Sequence, residues 1–86
     1  MIKGTTESGF KFELNPEDVN DMEFVEALAE VETDISKFPK VIEMALGKDQ
    51  KKRLYDHVRT EAGKVPVDKA VAEFEEILTL ANEKNS

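Results

Sequence analysis

The chain has no cysteine and a single histidine. Without cysteine there are no disulfides and no thiolate metal sites, a composition that fits a reducing cytosol. One imidazole excludes a multi-histidine centre. No apolar run approaches the ~18 residues of a membrane span, and the start, Met1-Ile2-Lys3-Gly4-Thr5, lacks the apolar core of a signal peptide. Positive charge is missing locally as well. The twenty-five residues from Phe12 to Ser36 hold nine carboxylates and no Lys or Arg. A net charge of −7 argues against nucleic acid as the main partner, because phosphate binding needs a basic surface. The expectation is a soluble protein, cytoplasmic in its host, with no nucleic-acid or membrane partner.

The chain's 86 residues make one domain. A chain of this size buries only roughly 60–65% of its unfolded surface. Small domains offset that thin margin with disulfides, metals or self-association. With the first two gone, a homo-oligomer is expected. Lys37 to Lys64 carries eight basic residues against four acidic. An acidic arm joined to a basic middle reads as surfaces made to meet something, such as another copy of the same chain.

The pattern predicts a mainly α fold: a small four-helix domain with a short N-terminal β-hairpin over residues 1–14. Phe10, Phe12 and Leu14 alternate with Lys11 and Glu13, so their side chains share one strand face. Ser8-Gly9 supplies a turn, and Met1 to Lys3 returns as the partner strand. Asn15-Pro16-Glu17-Asp18 reads as a turn or a single helical turn, with Asn as cap and Pro at the first position. Asn20 reads as the next cap, with Glu23 completing a capping box. The helix that follows, about 21–32, puts Phe24, Leu28, Val31 and Ile35 on one stripe and Glu23, Glu26 and Glu30 on a wet one. Residues 36–47 form a helix with Phe38, Val41, Ile42, Ala45 and Leu46 inward, stopped by Gly47. Lys48 to about Arg59 is a third, with Leu54, Tyr55 and Val58 inward. Val65-Pro66-Val67 is extended, as the residue before proline avoids the helical region. The last helix, about 67–82, shows Val67, Ala70, Val71, Phe74, Ile77, Leu78 and Ala81 on one face. Residues 83–86 are expected to fray.

No constellation here carries evident chemistry. Asp56-His57 is an acid–imidazole neighbour pair, but adjacent helical residues point about 100° apart, so His57 reads as a solvated helix position. Asp18, Asp21 and Glu23 lack the central Gly and the spacing of a calcium loop. Neither a metal nor a cofactor is expected, and no catalysis. Lys48, Lys52 and Arg59 fall on one side of their helix. That side reads as a phosphate-binding face, a solvated face, or a surface pairing with the acidic helix of a neighbouring copy. Two apolar features are left over as candidate partner or self-association surface. One is the strand face Phe10, Phe12 and Leu14, whose unpaired edge can add a strand from another chain. The other is Met22 and Ala29, roughly 150° around the helix from the main stripe.

Gly9-Phe10-Lys11-Phe12-Glu13, Asp21-Met22-Glu23, Leu46-Gly47-Lys48, Lys52-Arg53-Leu54-Tyr55 and Gly63-Lys64-Val65-Pro66-Val67 occur in this order. Together these phrases resemble small tail assembly chaperones of long-tailed phages and prophages of Gram-positive bacteria, a resemblance that runs from about residue 9 to 80. The resemblance implies a non-enzymatic chaperone that binds the tape-measure protein, a very long helical chain, and keeps it soluble until tail-tube subunits replace it. It also implies a longer form of the same product made by programmed ribosomal frameshifting. Glu83-Lys84-Asn85 can be encoded GAA-AAA-AAC, which contains a slippery heptamer. The alternative class is a small acidic regulatory or adaptor module, such as an anti-repressor or an antitoxin-like binder of a folded target.

Overall fold

The alternation at the N-terminus is realised as a two-stranded antiparallel hairpin. Strand β1 is Ile2–Thr5 and β2 is Lys11–Leu14, with Ile2 opposite Leu14, Lys3 opposite Glu13, Gly4 opposite Phe12 and Thr5 opposite Lys11. The computed structural model describes residues 1–85. Among them the fold is mainly helical, with four helices following the hairpin. These are α1 (Pro16–Val19), α2 (Met22–Val31), α3 (Phe38–Val58) and α4 (Val67–Asn85), with one 3-10 turn at Ile35–Lys37 before α3.

A lone hairpin is marginal in water, and this one is held from both sides: β1 lies along α4 and β2 on α3. Phe10, Phe12 and Leu14 do share a face, as the alternation predicts, but that face is core. They are 4, 2 and 1% exposed. The expectation that they form a partner surface is therefore corrected: two helices already cover them, and each buried side chain contributes about 1.5–3 kcal/mol. Gly4 makes the packing possible. A β-carbon at Gly4 would stand 2.7 Å from Cζ and 2.9 Å from Cε1 of Phe12, so only glycine lets the ring lie across β1.

The outward edge of β2 is closed too. The Gln50 side-chain amide donates to the Glu13 carbonyl (2.6 Å) and accepts from the Glu13 N–H (2.8 Å), as a neighbouring strand would. Arg53 donates to the Lys11 carbonyl at 2.5 Å. The strand-addition edge expected beside Phe10, Phe12 and Leu14 is thus occupied by side chains of α3.

Asn15 caps α1, accepting from the Glu17 N–H at 3.1 Å, with Pro16 in the first turn. The next cap is Asp21, not Asn20. The Asn20 N–H closes α1 on the Pro16 carbonyl, which leaves the extended Asp21 to accept from the Glu23 N–H at 3.3 Å. In α2, Phe24 is buried and Leu28 and Val31 are half-buried against the core, while Ile35 stands exposed in the 3-10 turn instead of extending their stripe.

Gly47 interrupts α3, with φ 83° and ψ 167°, a backbone conformation that favours glycine. The stop expected there is a sharp break between two helical stretches, 38–46 and 48–58. Gln50 also satisfies the Leu46 carbonyl at the break, donating from Nε2 at 2.8 Å. Phe38, Val41, Ile42, Ala45 and Leu46 of the first stretch and Leu54 of the second reach the core. There they meet Ala70, Phe74, Ile77 and Ala81 of α4. Phe38 and Phe74 stack edge to face, with centroids 5.6 Å apart. Val67, expected on the inward face of α4, is exposed. The helix also runs past the expected end at 82 to Asn85. Of the tail expected to fray, Ser86 lies outside the described residues.

Candidate partner-binding face

The apolar side chains left outside the core converge on α2. Its cap at Asp21 fixes the rotation of the helix, and Phe24 with Leu28 and Val31 ties one side to the protein. The opposite side carries Met22 (69% exposed), Val25 (48% exposed) and the exposed Ala29. Their spacing places them within an arc of roughly 60° over two turns. The sequence reading found Met22 and Ala29 but missed Val25, which links them. The signal was present in the i, i+3, i+7 spacing.

Carboxylates line both sides of this stripe. At about 100° per residue, Glu26 and then Glu30 and Glu23 follow Met22 on one side, and Glu32 stands beside Val25 on the other. Glu30 is paired with Lys37 at 2.9 Å, and that hydrogen bond, followed by the charge of Glu30, raises the Lys37 ammonium above its ordinary value. Glu23, Glu26 and Glu32 form no ion pair among the described residues. α2 is therefore apolar on two faces, one spent in the core and one rimmed by negative charge.

Half of the basic residues between Lys37 and Lys64 are engaged within the molecule through their side chains. Lys51 reaches across the Gly47 break to Glu43, and its hydrogen bond is the main cause holding the Glu43 carboxyl below its ordinary value. Arg53 lies over the Phe10 ring at 5.3 Å while bonding Lys11. Arg59 is bonded to Asp56 (3.1 Å) and to the Gly63 carbonyl (2.9 Å), so it closes the loop after α3. Of the three cations expected on one side, Lys48 and Lys52 stand exposed a turn apart. Arg59 lies about 10 Å further along the helix and is committed to that loop.

A polar cluster that sequence reading did not find joins the hairpin turn to the helices. Glu73, 8% exposed, accepts from the Thr6 hydroxyl and from the Ser8 hydroxyl (2.6 Å). Thr6 Oγ1 in turn accepts from the Phe10 N–H at 3.0 Å, and the Glu7 N–H donates to Glu76 at 2.6 Å. His57 Nε2 lies 2.9 Å from Ser8 Oγ and 3.9 Å from Glu73 Oε1, with its ring 5.3 Å from that of Phe10. His57 is an exposed helix position, as expected, and also a partner in the clasp. A nucleophile–base–acid relay places the carboxylate on Nδ1 of the histidine. Here it sits on the Nε2 side and takes the serine proton donor for itself, so the geometry serves to pin the turn.

Among the described residues no three His, Cys, Asp or Glu side chains are placed to hold a metal ion, and no helix is long and apolar enough to cross a membrane. Comparison of the chain with family models, curated proteins and solved structures returns no match.

Proposed function

We propose that this protein is a phage tail assembly chaperone that binds the tape-measure protein and keeps it soluble before the tail tube polymerises. The observation that carries the reading is the solvent-facing stripe Met22, Val25 and Ala29 on a helix whose other face is already buried. Together with the ordered phrases from Gly9 to Val67, it suits a protein that works by covering another chain. A long helix with an exposed apolar stripe aggregates unless that stripe is covered. Many small acidic copies would cover it and add repulsive charge. Each copy must bind weakly enough for tube subunits to displace it, which fits a stripe of three side chains better than a deep groove.

Co-expression tests the proposal. The soluble yield of the tape-measure protein is expected to rise in the presence of this chain; no gain would contradict it. A one-to-one complex with a folded regulator, and no binding to the tape-measure helix, would favour the adaptor reading instead. The longer frameshifted form belongs to the same proposal. It requires A-AAA-AAC across the codons for Glu83-Lys84-Asn85 and an overlapping reading frame, and ordinary codons there would remove it.

A further inference from the structure

We propose that the outward face of α2 docks a cationic amphipathic helix from a different protein, and not a second copy of this chain. The inference deepens the functional reading above, resting on it only for the source of that helix.

The apolar part of the face is Met22, Val25 and Ala29, about 10 Å along the helix axis. That length matches two turns of a partner helix presenting anchors at i, i+3 or i+4, and i+7. Met22 at one end is unbranched and adapts to different knobs. Ala29 at the other lets the partner backbone come close. The flanks decide the charge of the occupant. Glu26 and Glu23 on one side and Glu32 on the other form no ion pair among the described residues, although Lys37 and Lys40 line the same depression as Glu23 and Glu26. A helix whose apolar stripe is bordered by Lys or Arg would therefore find complementary charge on both edges.

A second copy does not meet that description. Two-fold pairing through α2 would oppose the Glu23, Glu26 and Glu32 carboxylates of one copy with those of the other, which is repulsive. Head-to-tail pairing would need an apolar stripe bordered by cations elsewhere on the chain. Among the described residues the other large exposed apolar side chains are Met1 before β1, Ile35 in the 3-10 turn and Val67 at the start of α4, so no element carries a second stripe of them. Lys37, Lys51, Arg53 and Arg59 are held by Glu30, Glu43, the Lys11 carbonyl and Asp56, and the exposed Lys40, Lys48 and Lys52 lie on α3, which carries none of the large exposed apolar side chains.

The test is a titration of the isotope-labelled full-length chain, followed by amide NMR. The probes are two synthetic amphipathic helices with the same leucine stripe, one bordered by lysine and one by glutamate. Shifts at Met22, Val25, Glu26 and Ala29 with the lysine helix alone are expected. Met22→Glu should weaken that binding roughly tenfold or more, and Glu26→Lys should weaken it while leaving the amide spectrum of the fold in place. Equal binding of both helices, shifts centred elsewhere, or no binding would overturn the proposal. So would concentration-dependent self-association that Met22→Glu abolishes, since the occupant would then be a second copy. The two readings fail separately. If Met22→Glu still solubilises the tape-measure protein, this surface falls and the chaperone reading stands. If the lysine helix docks on α2 but the tape-measure protein gains nothing, the reverse holds.

Discussion

The hairpin and α2 each present an apolar row, and the two rows meet opposite fates. Phe10, Phe12 and Leu14 vanish beneath α3 and α4, and the backbone edge beside them is sealed by Gln50 and Arg53. Met22, Val25 and Ala29 stay in solvent, because α2 spends its other face, Phe24 with Leu28 and Val31, on the core. The larger apolar row is thus the structural one and the smaller row is available for binding. Size and hydrophobicity alone do not mark an interface; what matters is whether the element has a second side that already anchors it.

Truncation should separate the two rows most sharply. Phe12→Ala is expected to cost about 3–5 kcal/mol, close to the whole stability of a small domain, whereas Met22→Ala should stay within about 0.5 kcal/mol. Denaturant titration of both variants measures this, and similar losses would erase the distinction. Next in size, Gly4→Ala forces a β-carbon against the buried Phe12 ring and should cost about 1–3 kcal/mol. An unchanged midpoint would show that the ring does not depend on the missing side chain. Glu73→Ala removes the acceptor shared by Thr6 and Ser8 and leaves the Thr6 hydroxyl buried without it, a loss of about 1–3 kcal/mol. Hydrogen exchange should quicken in the hairpin turn before it does in α2; uniform quickening would mean that the clasp is not local.

The smallest effect concerns the turn after α2. Hydrogen bonds from the Ser36 hydroxyl and then the Ser36 N–H hold the Asp34 carboxyl below its ordinary value of 3.8. With its folded value depressed, Asp34 supports the turn above its ordinary titration range, and that support is lost as pH falls through the folded value. Ser36→Ala should move the Asp34 midpoint, read by NMR, back toward 3.8. No movement would remove Ser36 as the cause.

Local chemistry was legible in the sequence where a single residue decides the backbone. Asn15 before Pro16 caps α1, Gly47 breaks α3, and alternation puts Phe10, Phe12 and Leu14 on one face. The Asn20 box failed because two caps competed for adjacent residues, and Asn20 was already closing the previous turn. What strand pattern cannot reveal is which helices fold over the strand, so the core face of β2 read as a surface. The Glu73 clasp was hidden for a similar reason: Thr6 and Ser8 lie more than sixty residues away in the chain. Val25 was within reach, since it lies three residues after Met22 and four before Ala29 on the same side of α2, but it neighbours Phe24 and Glu26 in the chain and belongs to neither the core stripe nor the wet one.

The most direct test of the account is the soluble yield of the tape-measure protein co-expressed with the unaltered chain and with its Met22→Glu/Val25→Glu variant, after circular dichroism has shown that the variant folds. The account predicts a gain from the unaltered chain that the variant loses. Equal yields from both, or no gain from either, would contradict the claim that the outward face of α2 does this protein's work.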